Sequence, residues 1–365
     1  MKARINFSNN TSTEFFESVR KRVNEYFKTK NISKSGNYKM VIKSIVMLSI
    51  YFIPYTFLIS GQIENPWIIW GLWVIMGFGM AGIGLSIMHD ANHGSYSKYP
   101  TVNKVMGYLI NLVGGSVTNW KVQHNVLHHS YTNIEGHDED ITSIGLLRFT
   151  PNQKQYKVHR FQHIYAWFFY SLMTLFWFTY KDIPQLIRFK KEGKLDSQKR
   201  KFGWLLTELI GSKVIYAMYI LVIPMLVLSI PWWATILAFI TMQTICGLLL
   251  TTIFQLAHIM PTSNFPLPDN QGNIENSWAI HQLHTTTNFA PNNRLLSWYI
   301  GGLNYQIEHH LFPNICHIHY KKISAIVKKT AQEHGMPYYS EPTFIKAIKS
   351  HFKMLKTLGR TPSFQ

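Results

Sequence analysis

Histidine occurs in three clusters whose spacing suits metal binding. They are His89 with His93, His124 with His128 and His129, and His309 with His310 three residues behind Gln306. Residues four apart project from one face of an α-helix, so each spaced pair can bind a common ion. Adjacent histidines point about 100° apart, which suits two neighbouring ions better than one. Two doublets and two spaced pairs therefore predict a centre with two metal ions.

The number of histidines favours iron. Imidazole binds zinc, copper, iron and nickel. A zinc site saturates at about four ligands and does no redox chemistry, whereas the clusters supply seven histidines. Iron activates dioxygen, so we expect two iron ions with dioxygen as co-substrate. Carboxylates should orient the imidazoles from outside the ligand set. The candidates are Asp90, Asp138, Asp140 and Glu308. For Asp138 and Asp140, a role as solvated surface acids stays open.

A further ligand candidate is His258, which ends the apolar segment that closes with Phe254. It falls at the depth where the other clusters begin. A lone histidine at the end of a membrane span is more often a capped interfacial residue. Both interpretations remain open from the residues alone.

Four apolar segments must position these histidines, and each is long enough to cross a hydrocarbon core of about 30 Å as a helix. They cover residues 41–60, 67–88, 211–230 and 232–256, and they form two hairpins. The tight turns lack Lys and Arg, so the positive-inside rule places both termini and residues 89–210 in the cytoplasm. The stretches 105–117 and 164–180 are read as interfacial helices, because a single crossing by either would separate the histidine clusters. The expected fold is an all-α integral membrane protein.

Charge and composition bound the remaining segments. Residues 1–40 are predicted to be a cytosolic amphipathic segment with a helix over 12–30, followed by a membrane domain over 41–320 and a basic cytosolic tail over 321–365. The polar start predicts no cleavable signal peptide. The net charge of +18 follows from topology, so no nucleic-acid partner is expected, although a basic face attracts acidic proteins. Two cysteines are too few for an iron–sulfur site.

The clusters HDANH, HNVLHH and QIEHHLFP resemble the histidine boxes of the membrane fatty acid desaturases, in order and spacing, over about residues 40–320. Gln306 stands where other branches carry a histidine, which is similar to the front-end desaturases. HHSYTNIEGHDED, NYQIEHHLFP, RFQHIYAW and FQLAH also resemble that branch. Within it, the chain looks like the bacterial linoleoyl-CoA desaturases.

The resemblance implies four transmembrane helices under a cytosolic cap that holds two iron ions. It supports His258 as an iron ligand and implies that Trp120 lines the substrate channel. Gln306 has an amide oxygen, a poorer ligand than imidazole. Weak iron binding, binding through water and simple hydrogen bonding all remain open for it.

The implied reaction introduces a cis double bond into a fatty acyl chain carried on coenzyme A or on a lipid. A front-end enzyme acts between an existing double bond and the carboxyl end, as Δ5 and Δ6 enzymes do. The sequence lacks the His-Pro-Gly-Gly signature of a fused haem domain. Electrons should therefore come from a separate ferredoxin or cytochrome b-type protein. The expected location is a bacterial inner membrane, with several crossings.

Three alternatives use the same residues differently. A di-iron lipid hydroxylase or ketolase has similar ligands but inserts oxygen. A membrane zinc metalloprotease is suggested by the likeness of HDANH to H-E-x-x-H, although Asp90 replaces the required glutamate. A non-catalytic metal carrier should have charged or histidine residues inside its spans, where this sequence has few.

Overall fold

The computed structural model describes residues 5–8, 13–142 and 145–362. They form two compact units. The first unit contains Met1–Gly36, Gln123–Ala166 and Ile253–Gln365. The second unit contains Asn37–Val122 and Trp167–Thr252. The described residues of the predicted C-terminal tail fall in the first unit, as do those of the predicted N-terminal segment except residues 37–40, which fall in the second. Ser12 and residues 363–365 lie outside the described part of the chain.

Four helices within the described residues are long and apolar enough to cross a membrane, which confirms the predicted number. We call them the first to fourth spans: Tyr38–Ile59, Pro66–Asn92, Phe202–Val227 and Trp232–His258. The second span continues past residue 88 into the first histidine cluster. The third begins at Phe202 rather than at residue 211. The fourth includes His258 as its last residue.

The remaining helices are shorter than the spans, and four of the described segments are π-helical. In the second unit the shorter helices are Pro100–Gly107, Leu109–Leu112, Val117–Trp120, Met173–Phe176, Asp182–Lys191 and the 3-10 turn Asp196–Gln198. Gln162–Ser171 continues from the first unit into the second. The π-helices are Ile83–Met88, Lys121–His128, Trp177–Lys181 and Met218–Val222. The stretches predicted as interfacial are broken into these short pieces, and neither is among the four candidate spans.

The first unit is built from helices of 3 to 18 residues around a buried apolar cluster. Its helices are Thr13–Lys30, His129–Tyr131, Trp278–Thr285, Arg294–Tyr299, Gln306–Leu311, Tyr320–Glu333 and Phe344–Leu358, with 3-10 turns at Lys157–Phe161 and His317–His319. Phe15, Val19, Val23 and Phe27 form an i, i+4 stripe on the first of these helices and pack into that cluster. The predicted amphipathic helix therefore buries its apolar face within the unit.

Two parallel ladders of two residues each join distant parts of the first unit. Asn6–Phe7 pairs with Asn273–Ile274, and Asn288–Phe289 pairs with Ser340–Glu341. The mostly helical architecture agrees with the predicted all-α class, and these ladders are an addition to it. The second ladder holds the segment before the third histidine cluster against the C-terminal region.

The third span carries a lysine that the sequence placed at its edge. Because this helix starts at Phe202, Lys213 lies well inside it. Its Nζ atom lies 2.9 Å from the carboxylate of Asp182 and donates to the carbonyl oxygens of Gly114 at 3.1 Å and Trp177 at 2.8 Å. A charge in an apolar environment is tolerated only with such partners. Lys213 thereby ties three segments of the second unit to one span.

The first two spans approach each other closely at Gly79. A Cβ atom at this position would lie 2.6 Å from the backbone nitrogen of Tyr51 and 2.8 Å from the carbonyl carbon of Ile50. Backbone atoms cannot move aside as a flexible side chain can. By contrast, a Cβ atom at Gly71 on the same helix would meet nothing within 4 Å.

We predict that Gly79→Ala destabilises the protein by about 1–3 kcal/mol, because it overpacks a helix contact made of backbone. The thermal unfolding midpoint in detergent should fall clearly below that of the wild type. Gly71→Ala is the matched control and should leave the midpoint unchanged or raise it slightly. Equal midpoints for the two variants would show that the spans are not packed this closely.

Candidate metal centre

The first histidine cluster lies at the end of the second span, in the second unit. The π-helix Ile83–Met88 leads directly into the helical turn His89–Asn92. The ring centroids of His89 and His93 are 4.8 Å apart, as i, i+4 spacing predicts. Trp120 lies edge-on to both rings, at 5.6 Å from each. The predicted pairing of these two histidines is therefore present, with the tryptophan against it.

The second cluster lies on a π-helix, whereas the sequence predicted an α-helix. Lys121–His128 is π-helical, and His129 begins the next α-helical turn. The i→i+5 hydrogen bonds of a π-helix widen the turn, and such segments are frequent at functional sites. His124 and His128 are still on one side: their rings are 5.3 Å apart and inclined by 18°. The predicted helix type was therefore wrong, but the predicted alignment of the two rings is present.

The third cluster lies on the short helix Gln306–Leu311, all of whose residues are buried. Its position depends on Asn288, whose side-chain oxygen accepts from the backbone N–H of Ile307 at 2.9 Å. The helix thus presents His309 and His310 from the interior of the first unit.

Three histidines of the first unit converge on one point. The ligand atoms of His128, His258 and His310 lie within 4.8 Å of one another. The exposed fractions of these residues are 0%, 2% and 0%, so no bulk water reaches them. This geometry brings the lone histidine of the fourth span into contact with two clusters that are distant in sequence.

Each of these rings has a partner at Nδ1. The Nδ1 atom of His128 lies 3.1 Å from both oxygens of Asp138. That of His258 lies 3.2 Å from the carbonyl oxygen of Thr285, and that of His310 lies 2.8 Å from Oε1 of Gln282. All three partners are acceptors, so the proton of each ring belongs on Nδ1. Metal-bound histidines are typically held in this way.

The Nε2 atoms of His128 and His258 are consistent with metal binding. Nε2 of His128 and Nε2 of His258 are buried and have no hydrogen-bond partner in the part of the chain that the structure describes. A buried polar atom left without a partner costs about 1–3 kcal/mol. A metal ion would remove this cost, and neutral imidazoles suit iron. The donor set therefore fits a metal site.

A second convergence lies in the same unit. Nε2 of His129 is 3.2 Å from Nε2 of His124 and 3.0 Å from Nε2 of His309. Nδ1 of His309 lies 3.2 Å from the hydroxyl oxygen of Tyr320. His128 and His129 thus take part in different convergences, as the direction of adjacent helical side chains predicts. His309 and His310 are less clearly separated, since ligand atoms of both lie within 4.8 Å of one of His129.

Comparison with known proteins identifies the family of the chain. The sequence model described as "Fatty acid desaturase" matches residues 65–342 of the chain. The chain belongs to the fatty acid desaturase family. It is therefore an oxidoreductase that introduces double bonds into fatty acyl chains, and the resemblance seen in the histidine boxes is confirmed.

Named relatives align along most of the desaturase. The sn-1 linoleoyl-lipid 6-desaturase of Arthrospira platensis is 38% identical over 96% of this chain and 94% of its own length. The enzyme of the same name from Synechocystis sp. is 37% identical over 95% of this chain and 96% of its own. The acyl-lipid (8-3)-desaturase of Physcomitrium patens is 35% identical over 99% of this chain and 75% of its own.

Two of the four candidate carboxylates contact the histidines of the second box. Asp138 also accepts from the backbone N–H groups of Asn133 at 2.8 Å and Asp140 at 2.9 Å, so its carboxylate is fixed. Oδ2 of Asp140 lies 3.4 Å from Nδ1 of His128 and 3.8 Å from Nδ1 of His124. Burial lowers the pKa of His128, but these two carboxylates raise it more, to above its ordinary value. The ring is therefore a stronger base than an ordinary histidine, which favours metal binding.

The other two carboxylates have different surroundings. Oδ1 of Asp90 lies 3.8 Å from Nδ1 of His89, beyond hydrogen-bond length. Glu308 is fully buried and accepts from the side-chain nitrogen of Asn288 at 2.8 Å and from the hydroxyl of Tyr338 at 2.9 Å. Burial raises the pKa of Glu308 to about 7. Its role toward a metal stays a prediction.

Gln306 lies in the interior of the first unit with 1% of its surface exposed. Neither its amide nitrogen nor its amide oxygen has a hydrogen-bond partner among the described residues. It precedes His310 by four residues on one helix, so the two side chains share a face. The three roles left open for Gln306 all remain compatible with this position.

Sequence reasoning missed the helix Trp278–Thr285, which supplies outer partners to the histidines. Gln282 contacts His310, and the carbonyl oxygen of Thr285 contacts His258. No spacing rule identifies an amide or a backbone oxygen as such a partner. The available signal was the i, i+4 spacing of Trp278 and Gln282, which places both on one helix face.

Not every buried histidine belongs to the centre. His351, on the helix Phe344–Leu358, is fully buried, and its Nδ1 donates to the carbonyl oxygen of Ile259 at 2.9 Å. Burial lowers the pKa of His351 to about 4. The folded protein therefore holds it neutral where the unfolded chain, with an ordinary pKa of about 6.5, takes up a proton.

We predict that His351 makes the protein less stable as the pH falls from about 6.5 to about 4. The unfolded state binds the extra proton in this window, so stability rises with pH, by on the order of 3 kcal/mol in total. His351→Gln keeps a donor to Ile259 but does not titrate, so its thermal midpoint should depend less on pH across this window. Parallel pH profiles for the variant and the wild type would contradict the prediction.

Proposed function

We propose that the desaturase holds two iron ions in its histidine boxes. His128, His258 and His310 bind one ion, and His124, His129 and His309 supply ligands to the other. His89 and His93 of the first box are further proposed iron ligands, and Gln306 is proposed to bind weakly or through water. The supporting observation is the buried convergence of His128, His258 and His310, each with Nδ1 against an acceptor.

Bound iron would supply the reduction of dioxygen that drives removal of two hydrogens from adjacent methylenes. The balanced reaction takes one acyl CH2–CH2 unit, one O2, two electrons and two protons, and gives one CH=CH unit and two waters. The chain's own residues keep the site dry through burial and hold the imidazoles of His128, His258 and His310 in the tautomer that has its proton on Nδ1. Asp90, Asp138, Asp140 and Glu308 would lie outside the ligand set and stabilise its positive charge.

The proposed substrate is a lipid-linked acyl chain that already carries a double bond. Two relatives that align along nearly their full length are named for linoleoyl groups on lipid and for 6-desaturation. This supports front-end action on an acyl-lipid over an acyl-CoA carrier. Trp120, which lies against His89 and His93, is proposed to line the path of the acyl chain beside the first box.

Electrons would come from a separate protein, a ferredoxin or a cytochrome b-type donor. The net charge of +18 supports docking of an acidic partner. We further propose a multi-pass protein of a bacterial inner membrane. Both termini and the iron site would face the cytoplasm, as the distribution of Lys and Arg indicates.

Expression in a host fed with linoleate tests the reaction. We predict new double bonds on the carboxyl side of those already present, appearing first in the membrane lipid fraction and later in acyl-CoA. Gas chromatography with mass spectrometric location of double bonds gives the readout. His128→Ala, which removes a proposed ligand, is the inactive control. New bonds confined to saturated chains would contradict the front-end assignment, and appearance first in acyl-CoA would contradict the lipid carrier.

The iron content of purified protein tests the ligand set. We predict about two irons per chain in the wild type, since dioxygen chemistry of this kind uses a metal pair. His258→Ala should bind less than half of one iron at the affected position, because a three-histidine set loses one member. His281→Ala is the matched control: His281 is also buried, but its Nε2 donates to the carbonyl oxygen of Thr132 at 2.8 Å. Stoichiometric zinc in place of iron, or normal iron in His258→Ala, would contradict the proposed site.

A further inference from the structure

The helix Trp278–Thr285 donates two hydrogen bonds to one backbone carbonyl of the second histidine box. Nε1 of Trp278 donates to the carbonyl oxygen of His129 at 3.0 Å, and Nε2 of Gln282 donates to the same oxygen at 3.2 Å. The two donors are four residues apart and so lie on one face of the helix. A single carbonyl with two lone pairs accepts both.

This contact determines which way the amide of Gln282 faces. A carbonyl oxygen can only accept, so the amide nitrogen must point at His129. The amide oxygen therefore points the other way, where Nδ1 of His310 lies at 2.8 Å and the hydroxyl of Thr132 at 2.9 Å. Gln282 has no exposed surface, so water cannot replace either contact.

The orientation of the amide in turn determines the tautomer of His310. The amide oxygen can only accept, so Nδ1 of His310 must carry the proton. A neutral imidazole with its proton on Nδ1 has its lone pair on Nε2. These constraints therefore link one backbone carbonyl of the second box to the position of the proton on His310 in the third box.

We propose that Gln282 is a positioning residue of the iron site. Its side-chain carbonyl holds the Nδ1 proton of His310, and this keeps Nε2 of that ring aimed and deprotonated for the metal. The inference rests on the proposed iron site. Gln282 does not touch the metal or the substrate. It is the neutral counterpart of Asp138, which serves His128 in the same convergence.

Three variants distinguish the hydrogen bond that Gln282 accepts from His310 from the one that it donates to His129. Gln282→Met fills similar space but neither donates nor accepts. Gln282→Glu keeps an acceptor for His310 and loses the donor to His129. Trp278→Phe loses only the other donor to His129. If the hydrogen bond accepted from His310 is the one that supports the iron site, only Gln282→Met should lose iron faster than the wild type.

The readout is the release of ferrous iron to a chelator from the anaerobic holoprotein, with 57Fe Mössbauer spectra of the same samples. We expect one of the two irons of Gln282→Met to be released roughly 10–100 times faster than in the wild type, as is typical when an outer partner of a metal-bound histidine is lost. The Mössbauer signal of one iron should change and the other should not. Gln282→Glu and Trp278→Phe should release iron within a few-fold of the wild-type rate.

Two results would overturn the inference. The first is iron release at the wild-type rate from a folded Gln282→Met. The second is equally faster iron release in all three variants, which would mean that the hydrogen bonds to the carbonyl oxygen of His129 are the ones that matter. If Gln282→Met does not fold, solid-state 15N NMR of histidine-labelled, iron-free wild type decides, with the His310 signal assigned by its loss in His310→Gln. A proton on Nδ1 supports the inference and one on Nε2 overturns it. Wild-type protein that binds no iron would instead refute the proposed function.

Discussion

A neutral imidazole offers one bare nitrogen only when its other nitrogen holds a proton, and the first unit is built around that constraint. Three histidines from three separate segments converge, and each has an acceptor at Nδ1. The acceptors differ: a carboxylate for His128, a backbone carbonyl for His258 and an amide oxygen for His310. Their common effect is that each Nδ1 proton points away from the convergence and each Nε2 lone pair can point into it.

This arrangement explains why the surroundings of the histidines are polar although they are buried. A ring whose Nδ1 proton found no acceptor would be free to move that proton to Nε2, where it would block a metal. Asp138 illustrates the cost of preventing this, since its buried carboxylate needs two backbone N–H groups in addition to the histidine. The segment 133–140 therefore supplies the hydrogen bonds that fix the acceptor of the His128 ring in the neighbouring helix.

The sequence predicted which histidines the fold brings together, because their signal is local. His124 and His128 repeat at a helical period, and the doublets point in two directions whatever the exact helix type. The period could not tell an α-helix from a π-helix, because both keep residues four apart on one side. Gln282 and Thr285 escaped prediction for the opposite reason. Their partners are distant in sequence, and an amide and a backbone oxygen carry no spacing signature.

The spans were predicted in number but not in their limits, and Lys213 explains the largest difference. A hydropathy argument begins a span close to the point where charges stop, so a lysine appears to lie at its edge. In the folded protein the ammonium group is neutralised by Asp182 and two carbonyl oxygens, so the helix can extend on both sides of it. The pairing partner again comes from a distant segment. Local sequence predicts which groups need a partner, whereas only the fold shows where that partner comes from.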